Sequence, residues 1–200
     1  MKRSAYGAKI LSLFMVLCLS SPCPANAGEP LEVVKTAAEK AIQILKDPAL
    51  QGKDKKKERI DRLREVANPI FDYEEMAKRA LGPHWRRRSP AEQEEFVKLF
   101  RDFLEKNYSD KVDLYEGQRV VFGRETIDQD FAQIESTFIS AKGEEFAVHY
   151  KLRRADRKWK IYDAVIENIS IVNNYRSQFD RVIAKSSFDE LKRLLREKAG

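Results

Sequence analysis

The stretch WKIYDAVIENISIVNNYRSQF, Trp159 to Phe179, changes its hydrophobic period midway, and that change constrains the fold more than any other feature. Its first half alternates. Trp159, Ile161, Asp163 and Val165 are expected on one face of a strand, and Tyr162, Ala164 and Ile166 on the other. Neither set is cleanly polar, so the strand should be covered on both sides. Around Ser170 the spacing becomes four, which puts Ile171, Tyr175 and Phe179 on one stripe of a helix. A covered strand running straight into a helix, with aromatics on both parts, suits one wall and the mouth of an apolar container.

Upstream the period is helical. Pro30 stands where a helix starts, and Leu31, Val34, Ala38, Ala41, Ile42 and Leu45 form its apolar face until Asp47-Pro48. The charge run Lys53 to Lys57 reads as a solvated loop or helix start. Ile60, Leu63 and Val66 mark a second helix that ends near Pro69. Asp72 caps a third, with Glu75 as its reciprocal partner, and Gly82-Pro83 stops it. Ser89-Pro90-Ala91-Glu92 is another capping box. It opens the longest helix, to about Tyr108, with a broad stripe of Phe96, Val97, Phe100, Phe103 and Leu104.

The period then switches to two. Val120 and Phe122 alternate with their neighbours, as do Ala132, Ile134, Ser136 and Phe138, and then Phe146, Val148, Tyr150 and Leu152. Lys142-Gly143 and Ala155-Asp156-Arg157 are the turns, and such close spacing means antiparallel hairpins. Ser187, with Glu190 three residues on, caps a final helix carrying Phe188, Leu191, Leu194 and Leu195. The expected class is α+β: a curved four-stranded antiparallel sheet with helices packed on one side. Such a layering can keep a cavity, although a filled core gives the same periodicity.

The N-terminus reads as a secretory leader. Lys2, Arg3 and Lys9 flank or precede an uncharged run from Ile10 to Leu19, and Ala25-Asn26-Ala27 is a small-x-small cleavage site. Ser20, Pro22 and Pro24 end the run short of the ~20 apolar residues that span a bilayer. Residues 1–27 are therefore expected to be removed, leaving 28–200 as one domain. Both cysteines, Cys18 and Cys23, fall in the leader, so the exported chain has no disulfide framework. The formal charge of +6 falls as well, because removing three of 38 basic residues leaves 35 against 32 acidic ones. A balance of +3, spread along the chain, gives no ground for nucleic-acid binding.

Little in the sequence carries chemistry. Two histidines, His84 and His149, and no cysteine beyond the leader make no metal constellation. Asp163 lies among apolar neighbours. It is either a general base with Tyr150 or His149 assisting, or an acceptor for a backbone turn or an arginine. The second reading is favoured, because no complementary acid or oxyanion donor is evident. Arg86, in the run Trp85-Arg86-Arg87-Arg88, and Arg176 beside Tyr175 are candidates to grip a phosphate, or are simply solvated.

The run FDYEEMAKRALGPHWRRRSPAEQEEFVKLFRDFLEKNY, Phe71 to Tyr108, followed by Trp159 to Phe179, resembles the MlaC family, also called the toluene-tolerance auxiliary family. The resemblance covers nearly the whole exported chain in order. One departure is Asn168, where members often carry glycine in an E-G-x-S turn; asparagine tolerates left-handed angles better than most residues. The resemblance implies an NTF2-like cone and a periplasmic phospholipid-binding shuttle without catalysis, with acyl tails inside and head group outside. It further implies a monomer whose only cofactor-like occupant is its lipid cargo. The implied partners are an outer-membrane lipoprotein–porin complex and an inner-membrane ABC transporter with an MCE-type subunit, in a system maintaining outer-membrane lipid asymmetry. Facing elements then suggest a lining of Phe71, Met76, Phe96, Phe100 and Phe103 from the helices. The sheet would add Phe122, Phe146, Val148, Tyr150, Ile161 and Val165, and the closing helix Tyr175 and Phe179.

Overall fold

The computed structural model describes residues 29–109 and 112–200; the leader expected at 1–27 lies outside them. Four helices come first: α1 (Glu29–Lys46), α2 (Lys56–Ala67), α3 (Tyr73–Leu81) and α4 (Pro90–Ser109). An antiparallel meander follows, β1 (Arg119–Asp128), β2 (Phe131–Ile139), β3 (Glu145–Ala155), β4 (Lys158–Ile166) and β5 (Ile169–Ser170), in that spatial order. Helices α5 (Ile171–Lys185) and α6 (Phe188–Ala199) close the chain. The α+β class is as the periodicity indicates, with five strands rather than four.

The fifth strand has two residues, too few to show a period. It exists because Glu167 and Asn168 both adopt positive φ, 47° and 64°. Two such residues make the tight turn whose twist matches a hairpin, and asparagine takes the angle with little strain. Ser170 then caps α5, its hydroxyl accepting from the Asn173 N–H at 3.0 Å.

One irregularity controls the sheet. Lys151 pairs with Asp163 but Leu152 pairs with Ile161, so Tyr162 is an extra residue on β4. A bulge of this kind reverses the inside–outside parity of everything beyond it. Trp159 and Ile161 therefore share the concave face with Ala164 and Ile166. Asp163 and Val165 lie on the other side, opposite Lys151 and His149. The uninterrupted alternation read from the sequence fails here for that reason.

Two apolar clusters form. Val34 of α1 packs on Ala132, Ile134, Leu152, Trp159 and Ile161 at the far end of the concave face. The larger cluster joins α3, α4, α5 and α6 beside β4 and centres on Phe96 and Phe100, both 0% exposed. Phe100 meets Tyr175 and Phe179 edge-on, with ring centroids 5.5 and 5.4 Å away. Such arrangements add to the gain from area burial.

The caps differ in detail. Ser89 and Glu92 form the reciprocal box, with Ser89 N–H donating to Glu92 Oε2 at 2.8 Å and Glu92 N–H to Ser89 Oγ at 3.3 Å. Asp72 accepts from the Glu75 N–H at 3.0 Å, but its own N–H donates to the Ile161 carbonyl at 2.8 Å. Glu75 turns to Arg79 instead, at 2.7 Å. Asp72 thus ties α3 to β4, and also accepts from Arg153 of β3 at 2.7 Å.

Two substitutions test this packing by urea denaturation. Phe100→Ala should cost about 3–5 kcal/mol, as for other buried phenylalanines. Gly82 ends α3 at φ 54°, ψ −126°, and a Cβ there would lie 2.7 Å from Arg176 Nε. Gly82→Ala should therefore cost about 1–3 kcal/mol.

Candidate functional site

The near half of the concave face is left uncovered by either cluster. There the structure encloses a cavity of about 730 Å³. Its sheet wall is Val120, Phe138, Phe146, Val148, Tyr150, Ala164 and Ile166. The later turns of α1 supply Ala38, Ala41, Ile42 and Leu45, and α2 supplies Ile60, Leu63 and Ala67. Phe71, Tyr73, Met76 and Leu104 line it on the side of the helical bundle, and Ser109, Val112, Tyr115 and Gln118 follow the end of α4 around its edge. Tyr108 and Ile166, 38% and 37% exposed, mark the mouth.

The chain folds this way because α1 changes partner along its length. Its first turns bury Val34 and Ala37. Further along, Ala38 and Ala41 are too small to fill the gap to the sheet, and the gap remains.

Charged groups on the described lining are few and already engaged. Arg64 donates to Glu105 at 2.6 Å and to Asp61 at 2.5 Å. Burial pushes the Tyr108 and Tyr150 phenols up to about 12, so both are neutral donors near pH 7. Among the described residues the interior presents mainly hydrocarbon and aromatic surface, and its charged groups, Arg64 and Glu105, are paired.

Five of the thirteen anticipated lining residues border this cavity: Phe71, Met76, Phe146, Val148 and Tyr150. Phe96, Phe100, Phe103, Tyr175 and Phe179 are instead in the helical core. Phe122 and Ile161 belong to the far-end core, and the Tyr162 bulge turns Val165 away. Arg86 and Arg176 are exposed and border no part of the cavity. Arg176 crosses Gly82 at the C-terminus of α3, where a cation complements the helix dipole. The wall residues of α1 and α2 went unselected, although their stripes are plain in the sequence; an aliphatic stripe does not announce whether it meets a neighbour or a void.

Asp163 is a structural acceptor. It is 4% exposed, and its two oxygens accept from Ser170 Oγ at 2.6 Å and from the Val172 N–H at 3.1 Å. Tyr150 points to the cavity, while Asp163 and His149 lie across the sheet from it. Tyr150 is thus separated from Asp163 by the sheet, and both Asp163 oxygens are taken by the start of α5. Asp163→Ala should lower stability by about 1–3 kcal/mol, because it strips a charged acceptor from the start of α5. Thermal unfolding of the purified variant checks this.

Comparison with known proteins fits this geometry. The structure superposes on a solved phospholipid-binding protein from Ralstonia solanacearum, determined in complex with a phospholipid, with a TM-score of 0.75. That likeness, at 23% identity, covers 86% of this chain and 97% of the other and establishes a shared fold. The intermembrane phospholipid transport system binding protein MlaC of Haemophilus influenzae is 24% identical over 128 residues. That match spans 62% of this chain and 60% of the relative's length. The sequence profile described as MlaC protein matches residues 35–197, nearly the whole of the described chain, and the chain belongs to the MlaC family.

Proposed function

We propose that this protein is a phospholipid carrier of the periplasm that holds acyl chains in the cavity and leaves the head group outside. The observation that carries the reading is the lining: about 730 Å³ bounded almost wholly by apolar side chains. That volume lies in the upper part of the ~300–1,000 Å³ range of ligand pockets. A methylene is about the size of a water molecule, roughly 30 Å³ in the liquid. The cavity thus matches about two dozen methylenes, one long chain and part of a second.

The energetics favour such a sheath. A diacyl phospholipid has roughly 30 methylenes, each costing about 0.8 kcal/mol in water. The competing environment is the bilayer, which buries them equally well. A carrier must therefore hold lipid at near parity with a membrane. A lining whose full charges among the described residues, Arg64 and Glu105, are paired with each other gives little extra grip on a head group. The reading extends to tolerance of several head groups, to a chain without catalysis, and to exchange with machinery at both membranes. In that scheme the donors and acceptors are an outer-membrane lipoprotein–porin complex and an ABC transporter with an MCE-type subunit.

Val148 is 7% exposed and borders the cavity in the middle of its sheet wall. Val148→Trp should reduce uptake of fluorescently labelled phospholipid from vesicles at least tenfold while keeping the wild-type circular-dichroism spectrum. Undiminished uptake by the folded variant would contradict the assignment of this cavity as the lipid site.

A further inference from the structure

The sheet passes from cavity to solid core along a single row of residues. On the concave side of β3, Phe146, Val148 and Tyr150 border the cavity, and Leu152, the next in the series, is 0% exposed within the far-end core. On β4, Ile166 and Ala164 border the cavity and Ile161 belongs to that core. On β2, Phe138 borders the cavity and Ile134 is core. In register, Tyr150 pairs with Ala164 on one side and Ile134 on the other. Tyr150 and Phe71 are the residues that both border the cavity and pack against the far-end core.

Both are held on rigid backbone. Tyr150 lies in the middle of a three-strand ladder. Beside it Ser136 Oγ donates to the Val148 carbonyl at 2.6 Å, tying β2 to β3. Phe71 forms a bridge to Ile161, flanked by the Ile161 N–H to Ile70 carbonyl bond at 2.7 Å and the Asp72 N–H to Ile161 carbonyl bond at 2.8 Å. Its ring stacks on Tyr73, with centroids 5.9 Å apart. The wall facing the sheet, in contrast, comes from helices. From Phe146 to Tyr150 is four residues of strand, about 14 Å.

We propose that Tyr150 and Phe71 form a fixed end stop that sets the longest acyl chain the cavity accepts. The inference rests on the carrier reading and adds a specificity to it. A chain that ends at the rings buries every methylene, whereas a longer one must leave methylenes in water at the mouth. Each such methylene lowers loading about fourfold. The ring and not the hydroxyl of Tyr150 forms the stop, so loss of the hydroxyl alone leaves the limit in place.

The test incubates the mature protein with phosphatidylglycerol vesicles whose matched saturated chains range from roughly 12 to 20 carbons. Protein-bound lipid is then quantified by mass spectrometry for each length. Wild type should show a limiting length beyond which loading falls about fourfold per added methylene. Phe71→Ala and Tyr150→Ala should raise that limit by about two to four carbons, since truncation of a buried ring leaves space behind. Ala164→Leu, which thickens the same row, should lower it, and Tyr150→Phe should leave it unchanged. If Tyr150→Ala fails to fold, Phe71→Ala and Ala164→Leu still move the limit in opposite directions. An identical limit in all folded, lipid-loaded variants would overturn the end stop while leaving the carrier reading intact. Wild type that takes up no lipid at any length would overturn the carrier reading itself.

Discussion

The extra residue at Tyr162 is the constraint on which the architecture turns. Without it, the β4 side chains that continue from Trp159 and Ile161 would be Asp163 and Val165, and a carboxylate would face the hydrocarbon interior. With it, Ala164 and Ile166 take those places, and Asp163 is delivered to the start of α5. The same residue shift makes an apolar wall and supplies a buried helix cap. Burying an unpaired carboxylate costs several kcal/mol, so the alternative parity is strongly disfavoured.

A cavity survives next to two well-packed clusters because its helical wall is held largely by charge. Helix α2 is a poor contributor to either core. It is fastened by Lys56 to Asp113 at 2.7 Å, by the buried Arg59 to Asp113 and to the Leu50 carbonyl, and by Arg64 to Glu105 of α4. Directional contacts of this sort hold an element at a distance, whereas apolar packing draws it in. The far end of the same concave face shows the contrast: Val34 of α1 meets Leu152, Trp159 and Ile161, and no space remains. The division of one sheet face into a filled half and an open half makes a container from an ordinary α+β layering.

Most of the architecture was legible in the residues. Asp72, Ser89 and Ser187 mark helix starts and cap them, although Glu75 turns to Arg79 and leaves the Asp72 box half formed, and the period-two runs are the strands. Two features were not legible. The Tyr162 bulge leaves no mark in a stretch that alternates on either parity, so Val165 was placed inside when it lies outside. The lining was harder still. Phe96, Phe100 and Phe179 look like container walls in sequence, yet they pack against one another. Ala38, Ala41 and Ala164 line the space because they are small. Aromatics report where apolar contact is made, and alanines on a long apolar stripe report where it is not, but the distinction requires the partner's position. Motif content gave the family, which a match over residues 35–197 confirms. Phe71, Met76, Phe146, Val148 and Tyr150 were legible as cavity residues, and the α1 and α2 wall came only with the fold.

The central claim is that the cavity holds phospholipid. Native mass spectrometry of the mature chain purified from a Gram-negative periplasm, followed by solvent extraction, tests it most directly. The account predicts a mass excess over the bare chain that resolves on extraction into phospholipids, with head-group variety. A folded protein of bare mass, with no extractable lipid, would contradict it.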